Sequence, residues 1–166
     1  MKDIVAVDRN WGIGKNNDLL IVIPEDRKFF VDETKNNIVV MGKNTLDSLP
    51  EGKPLKNRVN IVLTSKNINN KDVIAVHSVE ELLKEIKKYD KDKVYNIGGG
   101  KIFEQLLDYV EYSLVTKIDE NFDADTFYPN LDKLENWEII DETEVKEFNK
   151  IKYKILKYRN KNVKSI

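Results

Sequence analysis

Three stretches of the sequence put glycine, lysine and hydroxyl side chains directly after apolar runs: VVMGKNT (39–45), IVLTSK (61–66) and NIGGGKIF (96–103). Glycine lets a ligand approach the backbone, and the start of a helix offers unpaired N–H groups to an anion. Gly98, Gly99, Gly100 and Lys101, together with Lys43, Thr45, Thr64, Ser65 and Lys66, are therefore candidates for holding phosphate, with Gly42 and Asn44 in the same stretch as Lys43. Phe103 stands where the dinucleotide fingerprint has its third glycine, and no Walker A loop is present. Several lysines and hydroxyls together suit a polyanion, and a dinucleotide with a 2′-phosphate better than one with a free ribose hydroxyl.

A fourth stretch, DLLIVIPEDRKFF (18–30), sets one carboxylate among apolar residues. Asp26 follows Pro24 by two positions, and Phe29 and Phe30 lie three and four residues on, on the same helix face. A carboxylate in a first helical turn is favoured by about 0.3–1 kcal/mol. On the local pattern, a helix cap and a carboxylate held in a pocket are equally open.

Elements of an α/β fold are needed to position these groups. The runs DIVAV (3–7), NIVVM (37–41), RVNIVLT (58–64), DVIAV (72–76) and KVYNI (93–97) are strand-length, β-branched and nearly continuous in hydrophobicity, as buried parallel strands are. Between them PEDRKFFVDET opens with proline and acids, SVEELLKEIKKY carries Ser78 as N-cap with Glu81 three residues on, and GGKIFEQLLDYV is amphipathic. Alternating strands and helices predict a largely parallel sheet, with the three candidate segments at the carboxyl ends of strands, the edge where open α/β sheets bind ligands. After residue 110, YSLVTKI, NWEIIDETEVKEF and KIKYKILKYR change the pattern, and the last predicts a solvent-facing antiparallel strand. Residues 1–159 form one domain, and residues 160–166 a polar tail expected to fray.

Composition narrows the function classes. The formal net charge is -1, which gives no field suited to nucleic acid or an anionic membrane. No cysteine and one histidine, His77, leave no thiolate nucleophile and no His-rich metal cluster, so no metal site is expected. MKDIVAVDRNWGIG has no apolar segment long enough for a signal peptide or a membrane span, so the expectation is a cytoplasmic protein, and a monomer for want of an apolar stripe.

The segments AVDRNWGIGKNNDLL, IPED, MGKNTLDSLP, KPLKNRVNIVLTS, VYNIGGGKIFEQLL and DADTFYP follow one another, from Asp3 to Pro129, as in dihydrofolate reductases, and the chain resembles that family. The resemblance implies a single-domain fold with a central eight-stranded, mostly parallel mixed sheet, flanking helices and an antiparallel C-terminal hairpin. It implies NADPH as cofactor, dihydrofolate as substrate and antifolate inhibitors as further ligands, with hydride passing to pterin C6 and a proton reaching N5 through water. Asp26 then matches the active-site carboxylate that binds the pterin amino group and N3, and Thr116 the hydroxyl that supports it. Leu20 and Ile21 match positions beside them at the catalytic centre, Val5, Ala6, Leu20, Arg27, Phe30, Leu49 and Ile97 the pterin and benzoyl pocket, and Arg58 the arginine that grips the glutamate α-carboxylate. The cofactor segments map onto Ala6, Ile13, Gly14, Asn17, Leu19, Gly42 to Thr45, Leu63 to Lys66, and Ile97 to Phe103 with Ile102 among them. The Gly98–Gly99 peptide is expected to be cis. The loop Asn10 to Ile23 would cover the nicotinamide, with Asp125 on the segment bracing it.

Ile21 stands where the family usually has tryptophan, Val22 where it has a polar residue, and Arg27 where it has leucine. The lost indole N–H affects the ordering of a water beside the pterin, and Arg27 reshapes the outer pocket. Two rival readings are a related NADPH-dependent reductase of a flavin-precursor pyrimidine and a non-catalytic nucleotide-binding module. IPED with an aligned Arg58 speaks against the first, and Asp26 in an apolar setting against the second.

Overall fold

The computed structural model describes all residues, Met1–Ile166. Each of the five apolar runs forms a strand: β1 (Lys2–Val7), β3 (Ile38–Gly42), β4 (Val59–Leu63), β5 (Val73–Val76) and β6 (Val94–Asn96). The remaining strands are β2 (Gly12–Gly14), β7 (Tyr112–Ile118), β8 (Thr126–Phe127), β9 (Trp137–Glu142), β10 (Lys146–Phe148) and β11 (Ile151–Asn160). The main sheet runs β10-β11-β7-β1-β6-β3-β4-β5, with β9 also paired to β11. β9 takes residues 156–160 of β11 and β10 takes residues 151–153, so two short strands share one edge position of an eight-position sheet. Every pairing from β7 to β5 is parallel, and only those made by β11 are antiparallel. β3 is buried along its whole length, which explains its unbroken apolar sequence.

The chain first builds outward from β1 through β3, β4 and β5, then returns to insert β6 between β1 and β3 before adding β7 on the far side. That reversal next to β1 is the topological switch where a crevice opens at the carboxyl ends of the strands. Helices α1 (Pro24–Thr34), α2 (Lys43–Ser48), α3 (Val79–Ile86) and α4 (Gly100–Leu106) connect them. α1 begins at Pro24 as the proline and acids require, yet only Thr34 of its residues is fully buried. It therefore borders a cleft and does not plug the core. α3 is capped by Ser78, whose Oγ accepts from Glu81 N at 3.1 Å, and it buries Leu82 and Ile86.

Two expectations are corrected. β11 is no solvent-facing strand: held between β7 and the β9/β10 edge, it buries Tyr153, Leu156, Tyr158 and Asn160. Its alternation changes phase midway, Tyr153 being buried on one face and Leu156, Tyr158 and Asn160 on the other. Nor does the tail fray, because Asn160 N donates to Glu111 O (2.8 Å), Lys161 N to Asn136 O (2.7 Å) and Lys164 N to Asp108 O (2.8 Å). The C-terminal hairpin turns on Asn149 and Lys150 with φ of 49° and 66°, the two positive values that a tight primed turn requires.

Within the core, Asp3 is fully buried and accepts from Tyr128 Oη at 2.7 Å, while Tyr128 also meets Ser113 Oγ at 2.8 Å. Asp3 Oδ1 and the neighbouring Asn96 Nδ2 have no hydrogen-bond partner. Burial pushes the Asp3 carboxyl up to about 7 from 3.8, against the opposing pull of the Tyr128 hydroxyl. The folded state thus holds a proton that the unfolded state has released, so this group's stability is full at acid pH and is lost as pH rises from about 4 to 7. The loss is worth up to about 4 kcal/mol. Asp3→Asn is expected to flatten that dependence and to melt higher than the unmodified protein at pH 8. Parallel melting curves against pH for the two proteins would contradict this.

Candidate functional site

α1 and β7 bring the central carboxylate into place. Asp26 sits in the first turn of α1 and its Oδ1 accepts from Thr116 Oγ1 at 2.6 Å. Thr116 is buried on β7, directly across from Ala6 on β1, so Asp26, Thr116 and Ala6 form one corner of the crevice. Burial raises the Asp26 carboxyl above its ordinary value, and Thr116 pulls it partly back.

Around this corner the predicted pocket residues are apolar and only partly buried. Phe29 and Phe30 pack with Ile97 against Ile4, Tyr95 and Leu114. Ala6 and Ile21 pack against Ile23, Ile118 and Tyr153, so Ile21 is held by apolar contacts. Leu49 and Ile97 border the cluster of Val39, Met41, Leu46 and Val62. Val5 and Leu20 are also partly buried, whereas Arg27 and Val22 face solvent.

Arg58 is held at the opposite end of the same helix. Its Nε and one terminal nitrogen donate to Thr34 Oγ1 at 3.2 and 3.1 Å, that nitrogen also to Val31 O at 3.3 Å, and the other to Lys56 O at 2.7 Å. Thr34 Oγ1 in turn donates to Phe30 O at 2.8 Å. Burial draws the guanidinium down from its ordinary value without discharging it. Asp26 and Thr34 are eight positions apart on α1, which places the carboxylate and the cation about 12 Å from each other along the helix.

The phosphate candidates lie along the other side of the switch point. Gly42 N donates to Gly98 O at 2.9 Å, tying the end of β3 to the glycine loop, and the Gly98–Gly99 peptide is cis. Gly98 has φ +98°, and a Cβ there would meet Phe103 Cε2 at 2.5 Å, so both backbone and space require glycine. Gly99, the N-cap of α4, has Thr45 Oγ1 beside it. Lys66 N donates to Thr64 Oγ1 at 3.1 Å, and Ser65 and Lys66 are exposed at the end of β4. Lys43 is less free than its sequence suggests, being paired with Asp47 one turn on.

A cleft of about 390 Å³ lies between the end of β4 and the start of α4, lined by Leu63, Thr64, Ser65, Lys101 and Ile102. It is completed by His77, Ser78, Val79 and Gln105, which sequence reading does not assign to a site. His77 follows β5, a fourth strand end bearing polar side chains, and its Nδ1 lies 2.7 Å from Thr64 O. The signal is present, but Ser78 reads first as a helix cap, which it also is.

The loop between β1 and α1 is braced as expected. Asp125 N donates to Gly14 O at 3.0 Å, and Asp125 Oδ2 accepts from Asn16 N at 2.9 Å. Along this loop Ile13 and Gly14 are partly buried, while Asn17 and Leu19 are exposed. Asp8 is a second brace that sequence reading misses: its Oδ1 accepts from Asn10 N and Gly12 N at 2.9 and 2.8 Å, and its Oδ2 from Phe122 N at 3.2 Å. No cluster of His, Asp and Glu is placed to hold a metal ion, and no helix is long and apolar enough to cross a membrane.

Comparison with known proteins agrees with this arrangement. Residues 1–160 match the family model described as dihydrofolate reductase. The dihydrofolate reductase of Staphylococcus haemolyticus is 39% identical over 127 residues, 76% of this chain and 74% of that protein. That of Rattus norvegicus is 34% identical and covers 96% of both chains. Among solved structures, the dihydrofolate reductase from Enterococcus faecalis complexed with NADP(H) and RAB-propyl superposes with a TM-score of 0.82 at 33% identity, covering 96% of this chain and 95% of its own. An α/β domain of this topology is thus matched in sequence and in fold. The chain belongs to the dihydrofolate reductase family.

Proposed function

We infer that the protein reduces 7,8-dihydrofolate to 5,6,7,8-tetrahydrofolate at the expense of NADPH. The observation that carries this reading is α1 itself, with a partly buried carboxylate at its start and a fixed guanidinium at its end. A ligand with hydrogen-bond donors at one end, an apolar middle and an anionic tail fits that spacing. The pyrimidine of a flavin precursor has no carboxylate tail to use Arg58, so the related reductase reading is not favoured.

Asp26 accepts from the pterin amino group and N3, and Thr116 holds it in register while the apolar surround of Ala6, Leu20, Ile21, Phe30, Leu49 and Ile97 keeps water from the ring. Arg58 meets the α-carboxylate by exchanging its longest protein contact, at Val31 O, for the ligand. The donors along this edge of the sheet suit NADPH: Gly98 to Lys101, with Thr45 beside Gly99, for the pyrophosphate, and Ser65 and Lys66 for the 2′-phosphate, while Leu63, Val79 and Ile102 of the cleft offer an apolar face to the adenine. Bound NADPH supplies the hydride. Gly14, Asn17 and Leu19 lie on the loop that Asp8 and Asp125 tether. The reading includes a monomer working in the cytoplasm.

Two measurements test this. Turnover with dihydrofolate should exceed turnover with a pyrimidine flavin precursor, and the reverse order would overturn the substrate assignment. NADPH should be preferred to NADH, and Lys66→Ala should narrow the preference by roughly tenfold or less, since an exposed lysine–phosphate contact is worth about 1 kcal/mol. Equal use of both cofactors by the unmodified protein would show that Ser65 and Lys66 do not hold the 2′-phosphate.

A further inference from the structure

The helix that carries Asp26 starts without a local cap, because Ile23 occupies the N-cap position and offers no side-chain hydrogen bond. Two hydroxyls reach its first turn from neighbouring strands instead. Thr116 of β7 donates to Asp26 Oδ1 at 2.6 Å, and Tyr153 of β11 donates to Glu25 Oε2 at 2.7 Å. β7 and β11 are paired antiparallel, with Thr116 opposite Ile155 and Ile118 opposite Tyr153, so the two donors lie side by side on the sheet. The Tyr153 ring is buried against Ile23 and Ile118, and only its hydroxyl emerges to the helix. One side chain therefore holds both the apolar residue before α1 and the first acid within it.

We propose that Tyr153 is a positioning residue for Asp26: by gripping Glu25 it fixes the first turn of α1 and thereby holds the adjacent carboxylate where the pterin needs it. The inference rests on the reading of Asp26 as the pterin-binding carboxylate. The groups facing this turn are Glu25 and Lys28 of α1, Lys146 of β10, whose Nζ is 3.8 Å from Glu25 Oε1, Thr116 of β7, and Tyr153. Burial, with Glu25 and Asp26 beside it, pushes the Tyr153 phenol up to about 12, so it stays protonated and donates throughout the neutral range. Tyr153 and Lys146 hold Glu25 below the usual carboxylate range, so the acceptor stays ionised.

Tyr153→Phe keeps the buried ring and removes only the donor, so the fold is retained. Its kcat is expected to fall about three- to tenfold, the discounted value of one exposed charged hydrogen bond, with NADPH affinity unchanged. In carboxyl carbon-13 NMR of the free enzyme, the Asp26 titration should move down toward the ordinary carboxylate range as the loosened turn admits water. Glu25→Ala should reproduce both effects and add nothing to Tyr153→Phe in the double variant. Glu25→Gln, which keeps an acceptor oxygen for Tyr153, should restore most of the rate. Unchanged kcat and titration in Tyr153→Phe would overturn the proposal, as would Glu25→Gln behaving like Glu25→Ala, which would leave charge alone as the cause. Full turnover by Asp26→Asn would overturn the assignment of Asp26 instead, and the Asp26 titration in Tyr153→Phe would still decide whether the grip exists.

Discussion

Asp26→Asn is expected to lose turnover by of order 10²-fold or more at neutral pH while binding NADPH as before. In the proposed function the carboxylate accepts from both the pterin amino group and N3, and each hydrogen bond to a charged acceptor is worth roughly 1.5–3 kcal/mol. Asparagine keeps the shape and can still accept from Thr116, so the loss reports charge and not collapse. Stability should move the other way. Burial raises the Asp26 carboxyl, so its ionisation costs stability as pH climbs through the folded value, and the neutral amide escapes that cost. The variant should therefore melt no lower than the parent at neutral pH. Part of the lost rate should return at low pH, where substrate arrives already protonated. Near-normal neutral turnover would remove Asp26 from the reaction.

Arg58→Ala is expected to raise KM for dihydrofolate about 10- to 100-fold, as a charged hydrogen-bonded contact worth roughly 1.5–3 kcal/mol implies, and to leave NADPH affinity unchanged. The guanidinium also ties β4 to the end of α1 through Thr34 and Val31, so some stability will be lost with it. A substrate without the glutamate tail separates the two effects. It should be nearly indifferent to the substitution if Arg58 serves the carboxylate. Equal losses for both substrates would show that Arg58 only braces the helix.

Much of this architecture is legible because its signals are local. The five parallel strands announce themselves as β-branched runs buried on both faces, and α1 begins at Pro24, where proline and two acids say it should. Asp26 is undecided on local pattern, since a cap and a pocket carboxylate look alike over one turn. Only Thr116, 90 residues away, separates them in space. β11 misleads for the same reason: lysines alternate along it, but Leu156 and Tyr158 are buried in a cluster with Trp11, Tyr128 and Trp137, and Tyr153 with Ile23 and Ile118, none of which lies in any window of its own sequence. His77 and Gln105 escape a sequence reading because they complete a cleft assembled from several separate elements. Asp8 escapes it because a carboxylate bonded to three backbone N–H groups leaves no mark on the sequence beyond an acid after a strand.

The central claim is that this chain moves a hydride from NADPH to pterin C6 under the control of Asp26. A single turnover with NADPH deuterated at the transferable position tests it most directly, with enzyme in excess over dihydrofolate and the product examined by mass and proton NMR. The expected product is tetrahydrofolate carrying one deuterium at C6, formed at a rate that Asp26→Asn lowers by of order 10²-fold or more. Tetrahydrofolate without the label at C6, or no reduction although NADPH and dihydrofolate both bind, would contradict it.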